Sequence, residues 1–465
     1  MKAKIFIKGA TTLLVSGLVL SGCGGNESGN DESAGEENAA GSGENIELEL
    51  WTTPQFQGVF SPSEEGADYD SFFLEAADRY MEEHPNVTID VQVIPGDDRD
   101  SELSVALQTD TLPDIFMDSH FVLSQWAHEG VLAPLDDVID EETMNDIPES
   151  IWENVRVGDD IYMYPFNHNI GTLTYNADMF REAGLEEYIG EKDEVVHWSV
   201  EDYNTILEAL DSTLPDSTSP MGLFALNNQG DTWNLNWLRM HGNDFWGENG
   251  EVIVNQEDGV AALEQLAEWH ENGYTNQGPE SVSSNDVNAL FQNQQLAVSF
   301  ANTVQYNTML GEMERGTLEE FDARLAANPS STGDPVAFTY VLSSIAFNTG
   351  TEEEVATAKD FIKFYSSDEE LVMGSAQGVP VRQSVSEQLS AEENPLLEAN
   401  NELSEQVYNF SNNTPGYAEL RNVLYPELQA VFTGEKTSQE ALDSYTDKAS
   451  QIIEDATQRS QVLSE

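Results

Sequence analysis

Flat aromatic rings set among planar amides are the chemistry-bearing feature of this chain. The run Asn227-Asn228-Gln229-Gly230-Asp231-Thr232-Trp233 sets three amides and a carboxylate just ahead of an indole, with Trp237 one helical turn further on and Trp246 beyond. Amides donate and accept hydrogen bonds, and an indole face covers the apolar side of a saturated ring, so Asn228 and Trp233 suit a polyhydroxylated ligand. Trp233 is read as a ligand contact and Trp237 as packing for a core. A second group, Phe166-Asn167-His168-Asn169, offers further amides.

Other chemistries lack their residues. His128-Glu129 has no second histidine at zinc-protease spacing, and Gly434-Glu435-Lys436-Thr437 breaks the order of a phosphate-binding loop. The 7 histidines are scattered, and carboxylate pairs are too common among 86 acids to mark a glycosidase. Cys23 is the single cysteine, so neither an internal disulfide nor a cysteine metal cluster can form. The expectation is no enzyme, no cofactor and no metal; a lipid-anchored hydrolase acting on carbohydrate is the alternative.

The amino terminus speaks to compartment. Lys2, Lys4 and Lys8 precede the apolar stretch Ala10–Leu20, about half the roughly 20 residues of a spanning helix. Leu20-Ser21-Gly22-Cys23 follows and resembles the lipobox of bacterial lipoproteins. That resemblance implies a signal peptide over 1–22 and lipid on Cys23. Residues 23–45 then form an acidic tether of small and polar residues, with a reach of roughly 25 Å. The chain holds 18 basic against 86 acidic residues, a net charge of −68. Nucleic acid and anionic lipid surfaces, which require clustered cations, are excluded as partners. Acids spread along the whole chain fit a protein that works outside the cell in high salt, where repulsion is screened; an ordinary acidic or alkaliphilic source is the alternative.

Periodicity places these groups. Ile46–Trp51 and Val87–Val93 alternate as strands, Asp68–His84 and Ser101–Gln108 have helical spacing, and Ile115–Met117 is a short buried strand. Strands alternating with helices imply an α/β layer fold, whose ligands sit beyond the carboxyl ends of strands. Trp51, Thr52, Asp118, Ser119 and His120 occupy that rim. Later segments are strands at Leu296–Phe300 and Val341–Phe347 and helices at Val260–Asn272, Glu353–Tyr365 and Gln439–Ala456.

In this order the segments resemble the family 1 extracellular solute-binding proteins of ABC importers, the group containing maltose-binding protein. The resemblance rests on Leu50-Trp51-Thr52, His84-Pro85-Asn86-Val87, Leu112-Pro113-Asp114-Ile115-Phe116 and Gly130-Val131-Leu132-Ala133-Pro134-Leu135. It continues through Tyr164-Pro165-Phe166, Thr174-Tyr175-Asn176, Phe180-Arg181-Glu182-Ala183-Gly184-Leu185 and Gln294-Gln295-Leu296-Ala297-Val298. Ala358-Lys359-Asp360-Phe361-Ile362-Lys363-Phe364 and Gly378-Val379-Pro380-Val381-Arg382 complete it. It implies a two-lobed periplasmic-binding-protein-like fold with a hinge and an interlobe ligand cleft. The first lobe would span 46–168 plus 345–390 and the second 169–344 plus 391–465, with crossings near His168–Gly171, Val341–Ser344 and Ser384–Glu393. It further implies a monomer on the outer face of the membrane, delivering a small solute, a sugar or oligosaccharide above all, to permease subunits.

By the same resemblance Asn169 stands where the maltose-binding relative has a ligand carboxylate, and Asn302 and Tyr306 where relatives place a stacking aromatic. His168 reads equally as a hinge residue. Arg382 and Arg421 reach either ligand hydroxyls or, the favoured reading, neighbouring acids.

The charge reading yields a measurable outcome. The unfolding midpoint should rise steadily from dilute buffer to molar salt; a flat series would remove the high-salt reading.

Overall fold

Alternation builds the first strand as the sequence requires. Ile46, Leu48 and Leu50 are buried while Glu47 faces solvent. The computed structural model describes residues 45–61, 68–96, 98–192, 194–226, 231–375, 378–389, 399, 403 and 407–463. The chain divides into Met1–Gly43 and Glu44–Glu465. The signal, Cys23 and most of the tether lie outside the described residues, as do Asn228 and part of the third expected crossing.

The strands are β1 (Ile46–Thr52), β2 (Val87–Val93), β3 (Ile115–Ser119), β4 (Arg156–Val157), β5 (Asp160–Ile161), β6 (Tyr164–Asn176) and β7 (Val195–Val196). They continue as β8 (Ser219–Met221), β9 (Leu296–Asn302), β10 (Ala323–Ala326), β11 (Ala337–Ala346), β12 (Val379–Pro380) and β13 (Val407–Tyr408). The main sheet runs β2-β1-β3-β11-β6-β10-β7, with β9 and β12 also on β6, β8 on β9 and β13 on β11. β1 pairs in parallel with both β2 and β3, so helices must cross over between them. The Ser71–Glu83 helix does so, burying Phe72, Phe73, Ala76 and Tyr80. Among the described residues no helix is long and apolar enough to cross a membrane.

The sheet serves separate cores. One face of the β1 region packs Leu48, Phe72, Phe73, Phe166 and Phe361, and the other packs Leu103, Phe116, Trp152, Val341 and Ile345. A larger core gathers Tyr175, Tyr203, Trp237, Trp269 and Tyr445 around Leu296, Ala297 and Val298 of β9.

β6 and β11 run through both regions. On β6, Phe166 belongs to the smaller side and Leu173 to the larger core. On β11, Phe338 packs in the larger core and Val341 in the smaller. β11 therefore passes between cores over 339–340, ahead of the expected Val341–Ser344, because β13 and β6 hold its first residues in the larger half. Gly171 is glycine for a steric reason: a Cβ there would stand 2.1 Å from Cζ of Phe338.

Two histidines mark this crossing. The Val341 N–H donates to Nδ1 of His120 at 3.0 Å, which leaves the proton on Nε2, 2.9 Å from the Asn409 oxygen. His168 stands opposite Val341 on β6. Burial pushes both rings down to about 4. Their ordinary value is about 6.5, so the unfolded chain takes up protons first as pH falls. The stability from burying them neutral is present above about pH 6.5 and is lost toward about pH 4. Thermal unfolding at both ends of this window should show a smaller loss for His120→Gln and His168→Gln than for the natural chain. Equal losses would mean that the two rings do not govern this window.

Candidate ligand-binding cleft

A cavity of about 390 Å³ opens where β1 and β9 end. Its first wall is the segment after β1, with Gln55, Phe56 and Gln57, together with Tyr69. Its second wall comes from the Ser284–Gln292 helix, through Asn288 and Gln292, and the Thr303–Glu314 helix, through Gln305 and Glu312. Phe56 belongs to the smaller side's core, whereas Phe291 and Phe300 belong to the larger. The cavity thus lies between the two, and opposing walls interact: burial and then the Glu312 carboxylate raise the Tyr69 hydroxyl.

Local sequence explains both walls. Asn302 caps the Thr303–Glu314 helix, its oxygen accepting from the Gln305 N–H at 2.8 Å while the Gln305 side chain accepts from the Asn302 N–H at 3.1 Å. That reciprocal cap sets Gln305 at the cavity edge. Asn302 also donates to the Tyr340 hydroxyl of β11. On the other wall, Gln55 donates to Thr53 Oγ1 at 3.2 Å, and Thr53 donates to Asp118 Oδ2 at 3.2 Å. Arg99 Nη1 reaches the same carboxylate oxygen at 3.1 Å. Each wall is therefore tied by hydrogen bonds to the strand ends or the crossing strand behind it.

The predicted site residues fall into different places. Asp118, Ser119 and Asn302 are at the strand ends beside the cleft and are buried. Trp51 and Thr52 turn inward: the Trp51 indole N–H donates to Glu49 at 2.7 Å, and the Thr52 hydroxyl donates to the Thr53 carbonyl at 3.0 Å. His120 is engaged at the crossing rather than in the cavity. Asn167 and Asn169 are buried on β6, and the Asn169 amide donates to Asn167 at 3.4 Å.

Two expectations, Trp233 and Tyr306, need correction, and for two arginines the structure decides between the alternatives. Trp233 is packed against Phe300 and Phe338, with ring centroids 4.7 and 5.2 Å away, and its N–H goes to the Thr172 carbonyl at 3.3 Å. Its face is consumed by the larger core, as Trp237's was expected to be. Tyr306 donates to the Ala323 carbonyl at 2.9 Å and lines a separate cavity. Arg382 pairs with Asp146 at 2.7 Å. Arg421 forks onto Asp231 at 2.8 and 2.7 Å, and its guanidinium carbon lies 5.0 Å from the Phe121 ring centre. For both arginines the reading of a bond to neighbouring acids holds and the ligand reading does not. Burial alone would lower the Arg421 guanidinium, but the Asp231 carboxylate outweighs it and the net shift is upward.

Tyr69, Gln55, Gln57, Asn288, Gln292 and Gln305 escaped the sequence reading. Their one legible signal was Gln305 three residues beyond Asn302, the spacing of a capping box. The others sit on loops and helix faces that only the packing brings together. The arrangement offers amides from both sides and one half-buried phenol ring, which suits a neutral, hydroxyl-rich molecule.

Comparisons with known proteins agree with this architecture. Residues 63–371 match the model of the bacterial extracellular solute-binding proteins. A Brucella abortus (strain 2308) protein named as a binding protein is 21% identical over 384 residues, 82% of this chain and 90% of its own length. An ABC transporter solute-binding protein of Thermotoga lettingae TMO, solved with alpha-D-tagatose bound, superposes with a TM-score of 0.73 at 15% identity over 88% of this chain and 100% of that one. The maltose-bound MalE3 of T. maritima gives 0.69 at 16% identity over 87% and 99%. The fold is the two-lobed α/β architecture of such proteins. With well over half of its length matched, the chain belongs to the bacterial extracellular solute-binding protein family.

Proposed function

We propose that this protein captures a neutral saccharide in the amide-lined cleft and passes it to the permease of an ABC importer while held at the outer membrane face by lipid on Cys23. The cavity wall carries the proposal: Gln55, Gln57, Asn288, Gln292 and Gln305 approach from both lobes around Tyr69. Amides match hydroxyl groups as donor and acceptor, and the phenol ring offers an apolar face. A ligand touching both walls stabilises the closed arrangement over an open one, because only closure makes both sets of contacts. The names of similar structures support the class, since one holds tagatose and another maltose.

In this reading the lobes are 46–168 plus 341–390 and 169–340 plus 391–465, the β11 boundary moved to the crossing between its two cores, and the protein acts as a monomer. Asp118 and Asn302 act behind the wall by holding Thr53, Gln55 and Gln305 in place. The lobes move as units about β6 and β11.

A thermal-shift screen of mono- and oligosaccharides in molar salt should find at least one that raises the melting temperature. For that sugar, Tyr69→Ala and Gln305→Ala should each weaken binding by about tenfold, the loss of about 1.4 kcal/mol of contact. A shift with an amino acid and none with any saccharide would overturn the assignment. Separately, Cys23→Ser should release the protein from membranes into the medium; retention on the membrane would exclude the lipid anchor.

A further inference from the structure

A larger cavity, of about 930 Å³, lies on the hinge. Side-chain alternation fixes its side. Across the β11–β6 ladder Tyr340 stands opposite Asn169, and Val341 opposite His168. Tyr340 meets Asn302 at the cleft end, so it marks the cleft face of the ribbon. Thr339 and His168, one residue along on their strands, take the opposite face. Both line the larger cavity. Its remaining walls come from both sides of the hinge: Glu153 and Asn154 on the Glu149–Val155 helix, Asn409 and Asn412 after β13, and Glu387 near β12.

This cavity has the marks of a built site. His168 is 7% exposed, faces the cavity and makes no hydrogen bond among the described residues. A buried imidazole without a partner retains an unmet acceptor. The Asn154 amide nitrogen is already engaged with the Ser150 carbonyl at 2.6 Å, which leaves its oxygen to accept. Glu153 and Glu387 are exposed on the rim. No lysine or arginine is among the described lining residues. His168, the Asn154 oxygen and the two rim carboxylates therefore accept hydrogen bonds and attract positive charge, over an apolar floor formed by Val379, Pro380 and Val381.

We infer that this cavity is a second ligand site, selective for a small organic ammonium ion, and that its occupancy is coupled to lobe closure. The coupling follows from the walls, which belong to both lobes and to the crossing strands between them. A ligand there binds one hinge angle better than another and shifts the equilibrium accordingly. By linkage, the cleft ligand changes ammonium affinity by the same factor. Ammonium binding at the hinge is independent of whether the cleft ligand is a sugar.

Isothermal titration of the full chain in about 0.15 M salt tests it, with putrescine as probe and butanediol as the neutral analogue of the same length. One equivalent of putrescine should bind saturably, and butanediol at least about tenfold more weakly. His168→Leu should weaken putrescine by about tenfold, and so should the double change Glu153→Gln with Glu387→Gln, whose exposed positions leave folding intact. Equal binding of butanediol would overturn the choice of ligand. Absence of saturable uptake would overturn the site. Uptake insensitive to both hinge variants would identify counter-ion adsorption by the acidic surface and overturn the site as well.

Discussion

The pairing of β6 with β11 is the constraint on which the rest depends. These strands are antiparallel from Phe338–Gly171 to Ser344–Tyr164 and belong to both cores. A ladder of backbone hydrogen bonds resists shear, and its one irregularity, between Leu342 and Ser343, bends β11 on the smaller side of the crossing. Gly171 permits the close seat of Phe338 at one end of the ladder, and His120 ties Val341 near its middle.

The ladder also explains why the two cavities lie where they do. One face of the ribbon carries Tyr340 toward the cleft, and the other carries His168 and Thr339 toward the larger cavity. Both spaces therefore border the same ribbon. The strand ends of β1 and β9 approach from opposite lobes at the cleft face, so each wall is short, local and capped by its own hydrogen bonds.

Scarce cations are committed to acids that would otherwise be buried alone. Arg421 holds Asp231, and Lys436 and Lys448 both hold the buried Glu427. Removing Arg421 would strand the buried Asp231 charge, at a cost of about 3–5 kcal/mol, whereas Glu427 keeps a second cation if either lysine is lost. Exposed pairs such as Arg459 with Glu419 contribute far less. What remains on the surface is negative, as the excess of 86 acidic over 18 basic residues requires.

Sequence alone determined the class of this molecule, because alternation and helical spacing are local properties. Ile46–Leu50 and Val87–Val93 could be read as strands, Phe72 through Tyr80 as a buried helix face, and the ordered segments as a two-lobed α/β protein. The cleft was legible only near the strand ends, at Asp118 and Asn302. Trp233 misled because an indole beside amides has the same local signature whether its face meets a ligand or Phe300. Tyr69 and Gln292 gave no local signal at all, and His168 offered only an ambiguous one. Their roles arise from which helix faces and strand sides the tertiary packing turns toward a cavity, and that depends on contacts between residues far apart in the chain.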